Sequence, residues 1–155
     1  MEIKQLPKKD FVKVKPLHAK LILHITKKFD DTTLIDKKSL NKSFQSEKKD
    51  LDTHKGALFV AIEDGKMIGF AMGWIAKQKP WYTYKTYGHF EDMFVEERYR
   101  GKGVGKALIK AMVGWFKNQK MKYVFIGSYA ANSALKVYKH MGFADFTCDL
   151  RMRLK

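Results

Sequence analysis

Apolar residues along this chain repeat with the period of an α-helix in four segments. Over 104–116 they recur every three or four residues, which places them on one face of a helix. Val14 to Ile25 has the same spacing and predicts a first helix. The apolar residues over 34–44 are sparser and predict a second, short helix. The segment 132–142 has a capping residue at its start and a glycine at its end, so it predicts a last helix.

Alternating or continuous apolar runs predict strands around these helices. Asp64-Gly65 lies between two such runs, and this dipeptide predicts a tight hairpin turn. Strands are predicted over 3–6, 58–63, 67–74, 89–95, 123–127 and 146–154. A hairpin that leads into strand, helix, strand and helix predicts a mixed α/β fold with helices on both faces of one sheet. We expect a single domain over 1–155, because no linker divides a chain of this length.

The chain is strongly basic, with a net charge of +15 from 31 basic and 16 acidic residues. The excess is almost all lysine and is spread along the chain, which suits solvation better than bidentate recognition. Two interpretations remain open. The lysines either solvate the surface, or they attract a polyanionic ligand or, weakly, nucleic acid.

Cysteine content and hydropathy bear on where the protein works. Cys148 is the only cysteine, so an intrachain disulfide is impossible, and we expect it to be a packing residue. The first residues contain no apolar signal core, and the longest nearly apolar run, Met67 to Ala76, is far shorter than the ~20 residues of a membrane-spanning helix. The sequence therefore predicts a cytoplasmic protein without a membrane partner.

The segment from Arg100 to Lys106, RGKGVGK, lies between a predicted strand and a predicted helix. Its glycines can adopt positive φ, and the free N–H groups at the start of the helix carry the positive end of its dipole. Backbone amides with lysines beside them predict a phosphate site. The segment matches neither the dinucleotide-binding G-x-G-x-x-G pattern nor a Walker loop, because Lys106 and Ala107 stand where those motifs need a glycine and a hydroxyl.

Two motifs resemble the GNAT superfamily of N-acetyltransferases. The first is the Arg-x-x-Gly-x-Gly turn made by Arg100, Gly103 and Gly105. The second follows some thirty residues later as Asn-x-x-Ala-x-x-x-Tyr-x-x-x-Gly-Phe, from Asn132 to Phe143. Their order and spacing match that family, and the resemblance covers roughly 89–143. A weaker likeness over 91–101 is similar to the spermidine/spermine acetyltransferase branch.

The resemblance implies a largely antiparallel central sheet of about six to seven strands, with acetyl-CoA entering where two strands separate near Val95 and Tyr123. It implies that Asn132 contacts the pantetheine arm and that Tyr138 faces the thioester sulfur. The strand backbone offered to that arm belongs to Met93, Phe94 and Val95, and the pyrophosphate is held by Arg100, Gly101, Lys102, Gly103, Val104, Gly105 and Lys106.

Acetyl transfer to an amine requires removal of a proton, because an alkylamine with a pKa of about 10.4 is mostly protonated at neutral pH. Glu91 is the candidate base, acting directly or through water, and the alternative is an edge carboxylate paired with a lysine. Asp92 would face the opposite side of a regular strand, although a bulge would exchange the two. Tyr138 is the candidate donor to the departing thiolate, and the alternative is a packing role. The histidines lack the spacing of a metal site, so no metal is expected.

We expect the acceptor to be a primary amine on a small molecule. A polyamine-like molecule is one such acceptor. Trp81, Tyr82 and Tyr84 could bind it by stacking or by cation–π contact, or they could cover the core. Acetylation of a protein N-terminus or lysine remains an alternative, as does a non-catalytic coenzyme A-binding or nucleic-acid-binding module. A homodimer is also left open, and no specific nucleic-acid partner is expected.

Overall fold

The computed structural model describes residues 1–154, in which helices cover both faces of one five-stranded sheet. The strands are β1 (Glu2–Leu6), β2 (Gly56–Glu63), β3 (Lys66–Lys77), β4 (Thr86–Val95) and β5 (Val124–Ile126). The helices are α1 (Lys15–Lys28), α2 (Lys37–Thr53), α3 (Val104–Asn118) and α4 (Ala134–His140), with 3₁₀ helices over Lys8–Val14 and Glu97–Tyr99. The mixed α/β class is confirmed, with five strands in place of the expected six to seven.

The sheet has its strands in chain order, β1-β2-β3-β4-β5, and only the last pair is parallel. The hairpin between β2 and β3 turns at Asp64-Gly65 with φ of 49° and 72°, the left-handed geometry that this dipeptide favours. β5 pairs with β4 only from Gly88 to Phe90. Beyond Phe90, β4 continues to Val95 without a partner on that side. β4 and β5 therefore separate after Phe90 and Ile126. The expected separation at Tyr123 was wrong, because the Tyr123 carbonyl accepts the Gly88 N–H at 2.9 Å.

Each face of the sheet has its own apolar core. On one face the first 3₁₀ helix, α1 and α2 pack on β2, β3 and β4, and the rings of Phe11 and Phe44 stack at 4.7 Å. On the other face α3 buries Leu108, Met112 and Phe116 against the sheet, and α4 adds Tyr138. Because the helices lie on opposite faces, side chains of β4 are divided between the two cores, with Phe94 in one and Phe90 in the other.

Helix α2 is longer than the short helix predicted over 34–44. It begins after Asp36, whose carboxylate accepts the N–H groups of Lys38 and Ser39 at 2.9 and 3.0 Å, and it runs for 17 residues. Only Phe44 and Leu51 of this helix are buried, so its lysine-rich sequence shows little apolar periodicity. An N-terminal cap and a narrow buried stripe define this helix.

The predicted strand over 146–154 is absent from the described residues. Phe146 packs against Phe125 with ring centroids 5.1 Å apart, and Arg151 donates to the Asp30 carboxylate at 3.0 Å. These side-chain contacts hold an extended segment without a backbone ladder, and the alternating apolar residues Leu150, Met152 and Leu154 are exposed. Cys148 is exposed, so its predicted packing role was wrong.

A β-bulge interrupts the pairing of β3 with β4. Met72 pairs with Asp92 and Gly73 pairs with Phe90, so Glu91 is an extra residue on β4. Gly73 allows this close approach, because a Cβ there would lie 2.4 Å from the backbone oxygen of His89. The bulge thus depends on a glycine in the neighbouring strand.

Gly73→Ala should lower the free energy of unfolding by about 1–3 kcal/mol, because the added methyl group collides with backbone that cannot rotate away. Gly114→Ala is the matched control, since a Cβ at this α3 position has no atom within 4 Å. Alanine in a helix should raise stability by roughly 0.5–1 kcal/mol. Urea unfolding of both variants measures the difference, and equal stability would contradict the packing described for Gly73.

Candidate active site

The glycine turn before α3 has the geometry of an anion site. Gly101 and Gly103 have φ of 74° and 83°, and a Cβ at either position would meet no atom within 4 Å, so the turn faces open space. No side chain caps α3, which leaves its first N–H groups free within the described residues. Lys102 and Lys106 are exposed beside it. These features fit the phosphate site that the sequence predicts.

Contacts with β4 fix this turn in place. Arg100 donates from Nε to the carbonyl of Val95 at 2.9 Å, and its guanidinium lies over the Phe94 ring at 5.5 Å. Val104 is buried, so it can offer a ligand only its backbone. A Cβ on Gly105 would touch Met93 and Val95 at 3.8 and 3.9 Å. The end of β4 and the start of α3 therefore form one surface.

The separation of β4 from β5 opens a slot beside this surface. Met93, Phe94 and Val95 pair with β3 on one side only, so the other edge of β4 is free for an extended ligand. Asn132 lies at the start of α4, where its Oδ1 accepts the Ala134 N–H at 3.0 Å. This bond uses the side-chain oxygen and leaves the amide N–H groups of Asn132 for a ligand.

Tyr138 lies in the α3-side core and is 6% exposed. Burial, with the nearby charge of Asp92 as a second cause, raises the pKa of Tyr138 to about 12. Its hydroxyl therefore stays protonated at neutral pH and can donate a hydrogen bond.

The bulge places both acidic residues of β4 on the α1 and α2 side. Glu91 contacts His89 through Oε2 and Nε2, and the His89 ring lies 5.0 Å from that of Trp74. Asp92 faces α1, where its Oδ2 is 3.8 Å from Nε2 of His18. Phe90 lies in the opposite core. The sequence predicted opposite faces for the two carboxylates of a regular strand, and the extra residue brings them to the same one.

His18, Glu47 and Asp92 form a buried cluster that the sequence did not reveal. Nε2 of His18 lies 2.7 Å from Oε2 of Glu47, and the histidine is 1% exposed. The three facing atoms have no well-oriented hydrogen-bond partner among residues 1–154. One signal was available, since His18 occupies the apolar stripe of α1 between Leu17 and Leu21.

Burial sets the protonation of this cluster. It raises the pKa of Glu47 to about 7, and it raises the pKa of Asp92 well above the ordinary value, with help from the charge of Glu47. Burial also lowers the pKa of His18, and the charge of Asp92 partly opposes that shift. Burial therefore favours the uncharged form of all three side chains.

The structure does not bring the three predicted acceptor-binding aromatics to the slot. Trp81, Tyr82 and Tyr84 lie in the loop between β3 and β4, before Thr86 begins the strand. Tyr84 packs on Tyr123 at 4.6 Å, at the paired end of β5. Glu91 is five residues beyond Thr86, where β4 begins, which at about 3.3 Å per residue is roughly 16 Å along the strand. These aromatics therefore lie at the opposite end of β4 from Val95.

Comparison with known proteins identifies the family. The family model described as "Acetyltransferase (GNAT) family" matches residues 24–143, most of the chain, so this chain belongs to the GNAT acetyltransferases. Members of this family use acetyl-CoA as a co-substrate. The resemblance stated from the two sequence motifs is confirmed.

Individual relatives agree with this assignment. An N-alpha-acetyltransferase of Sulfurisphaera tokodaii is 33% identical over 103 residues, 61% of this chain and 60% of that protein. A spermine/spermidine N(1)-acetyltransferase of Bacillus subtilis is 28% identical over 82 residues, 52% of this chain and 54% of that protein. The matched segments thus span less than two thirds of either relative. A solved tetramutant of a Bacillus halodurans protein shares the fold, with a TM-score of 0.82 at 18% identity, covering 99% of this chain and all of that one.

No helix within residues 1–154 has the length and apolar character to cross a membrane.

The raised pKa of Glu47 predicts a pH-dependent stability. Between its ordinary value of 4.5 and about 7, the folded protein binds more protons at Glu47 than the unfolded chain does, so this carboxyl lowers stability as pH rises. Asp92 acts in the same direction and His18 in the opposite one. Glu47→Gln should therefore gain stability relative to wild type, by about 2–3 kcal/mol, between pH 5 and pH 8.

Urea unfolding at several pH values measures this gain. Asp52→Asn is the control, because Asp52 lies on the same helix but is exposed and paired with Lys48 at 2.6 Å. Its stability should differ little from that of wild type, because an exposed ion pair contributes little to stability. Parallel curves for wild type and Glu47→Gln would contradict the raised pKa.

Proposed function

We propose that this protein transfers an acetyl group from acetyl-CoA to a primary amine of a small molecule. The observation that carries the proposal is the slot between β4 and β5, which has a positive glycine turn at one end and carboxylates on its α1 and α2 side. A polyanionic donor and a cationic acceptor would thus approach the same opening from different sides. A cytoplasmic location and a homodimer are parts of this proposal.

Acetyl-CoA would bind along the surface shared by β4 and α3. The free amides of residues 103–106, with Lys102 and Lys106 beside them, suit its pyrophosphate. The unpaired edge of Met93, Phe94 and Val95 suits the amides of the pantetheine arm, and the Asn132 amide would add a contact from α4. The acetyl group would then lie near Tyr138.

The acceptor would enter on the α1 and α2 side. Burial, together with the charge of Glu91, raises the pKa values of Glu47 and Asp92, so a cation beside these acidic groups would be stabilised despite the net positive charge of the chain. Such a site favours an ammonium group, and the polyamine enzyme among the relatives acts on one. Because another relative is an N-alpha-acetyltransferase, a protein N-terminus stays a second candidate acceptor.

The chemistry follows from these positions. Glu91, at the bulge, would hold the acceptor ammonium and could take its proton, directly or through water. The free amine attacks the acetyl carbonyl carbon, the C–S bond breaks, and the thiolate accepts a hydrogen bond from Tyr138. Since the pKa of Tyr138 is about 12 and that of a thiol about 8.5, complete transfer from the tyrosine is unfavourable. The proton lost by the new amide would therefore reach the sulfur through this hydroxyl.

Gly103→Val should abolish the stabilisation of the fold by acetyl-CoA, because valine at φ of 83° distorts the turn that presents the amides. Wild type should gain roughly 2.7 kcal/mol at a hundredfold excess over Kd. Gly65→Val is the matched control, with φ of 72° and an equally open surface in the β2–β3 hairpin. Thermal-shift titration compares them, and a normal response from Gly103→Val would remove the phosphate site from this turn.

Tyr138→Phe should lower kcat by about 10²- to 10⁴-fold while the affinity for acetyl-CoA changes little, because only the hydroxyl is lost. Steady-state kinetics together with the thermal-shift titration separate the two effects. Unchanged turnover would leave Tyr138 with a packing role alone.

An acceptor panel tests the function itself. Spermidine, kanamycin, phenethylamine and a peptide with a free N-terminus are each offered with acetyl-CoA, and released coenzyme A is measured. We expect turnover with at least one small amine and less with the peptide. Binding of acetyl-CoA without transfer to any acceptor would favour a coenzyme A-binding module. Tight, steeply salt-dependent binding of nucleic acid without transfer would favour the nucleic-acid alternative.

A further inference from the structure

The cluster of His18, Glu47 and Asp92 joins three elements that the mechanism above treats separately. We propose that this cluster, in place of Glu91, is the proton acceptor of the reaction: Asp92 takes the proton of the acceptor ammonium, and Glu47 with His18 holds it, while Glu91 only binds the ammonium. The inference rests on the proposed function and gives it residues from α1 and α2 that neither family motif contains.

The geometry of the cluster argues for a function beyond packing. Ser43 donates to Oε1 of Glu47 at 3.3 Å, which leaves Oε2 facing His18 at 2.7 Å. The His18 ring stands edge-to-face on Phe44 at 5.5 Å, so its orientation is fixed. Buried polar atoms without good partners cost stability, and proteins retain them where they serve a purpose. Here three such atoms converge directly behind the reacting strand.

The cluster also has the protonation behaviour that the reaction needs. An ordinary carboxylate, with a pKa of about 4.3, is a weak base toward an ammonium, whereas a base with a pKa near the working pH is effective. Glu47, with a pKa of about 7, meets this condition. The charged or titratable groups that influence it or its partner are Asp50 on α2, His18 on α1, Glu91 and Asp92 on β4, and Tyr138 on α4.

The proton moves in two linked transfers. An N–H bond of the ammonium breaks, and its proton binds the free oxygen of the Asp92 carboxyl. In this relay Asp92 is proposed to start protonated, and its own proton passes from Oδ2 to the ionised Glu47. The amine nitrogen keeps the electron pair with which it attacks the acetyl carbon. When the product leaves, the cluster releases one proton to solvent and the starting state returns.

Glu47→Gln tests the proposal, with Asp52→Asn as a matched control on α2 and Glu91→Gln as the competing base. Each variant is assayed from pH 6 to pH 10 with the best acceptor of the panel and with hydroxylamine, which is largely uncharged at neutral pH. Thermal shift with acetyl-CoA shows that each variant is folded and binds the donor. Asp92→Asn provides a second variant if Glu47→Gln does not fold.

We expect the wild-type kcat/KM to rise through pH 7, and this rise to disappear in Glu47→Gln, where only the increase toward the pKa of the amine remains. At pH 7 the variant should lose about 10²-fold or more with the amine and far less with hydroxylamine. Asp52→Asn should match wild type. The rates of wild type should be the same with and without a chelator.

Five results would overturn the proposal. An unchanged rise of kcat/KM through pH 7 in Glu47→Gln would assign the proton to Glu91. The same holds if this rise disappears only in Glu91→Gln. Equal losses with the amine and with hydroxylamine would indicate a structural effect. Activity that a chelator removes and a divalent metal restores would make the cluster a metal site. If wild type acetylates no acceptor, the proposed function fails first and the cluster loses its role with it.

Discussion

The bulge in β4 is the constraint on which the candidate site depends. One extra residue, Glu91, sits opposite the Met72–Gly73 step of β3 and changes which face each later side chain occupies. Because of it, Asp92 reaches His18 and Glu47, while Phe90 and Val95 stay in the core under α3. A regular strand would place either Glu91 or Asp92 on the acceptor side, but not both.

The separation of β4 from β5 depends on the shortness of the parallel pairing. Three residue pairs join the strands, and Gly88 allows α3 to lie close because the Phe116 ring occupies the space where a Cβ would be. Past this point no residue within 1–154 on the β5 side pairs with β4. The free edge of β4 is then available to an extended arm. The backbone of β4 is thus paired with β5 near its start and unpaired on that side near its end.

The sequence predicted the parts of the site that are local. The glycine turn, the hairpin at Asp64-Gly65 and the helix after Asn132 each depend on φ preferences or capping within a few residues. The acidic cluster could not be predicted, since it combines residues 29 and 45 positions apart from three elements. The cluster also depends on the register shift between β3 and β4. Such a shift is a property of two paired strands, so the sequence of one strand does not reveal it. The expected C-terminal strand was wrong for a related reason, because alternation indicates a strand only where a neighbouring edge pairs with it.

The distribution of charge explains how a basic protein can favour a cationic acceptor. Lysines on the surface act through water, where screening limits their effect to about 8–10 Å at ordinary ionic strength. The carboxylates of Glu47 and Asp92 are largely withdrawn from solvent, so each influences the other strongly. Fully ionised, the pair would be unstable, and a shared proton relieves the repulsion. An ammonium brought to Asp92 relieves the same repulsion and supplies a proton to replace the one that Glu47 takes. Attraction of the acceptor and removal of its proton would then be two consequences of one buried charge.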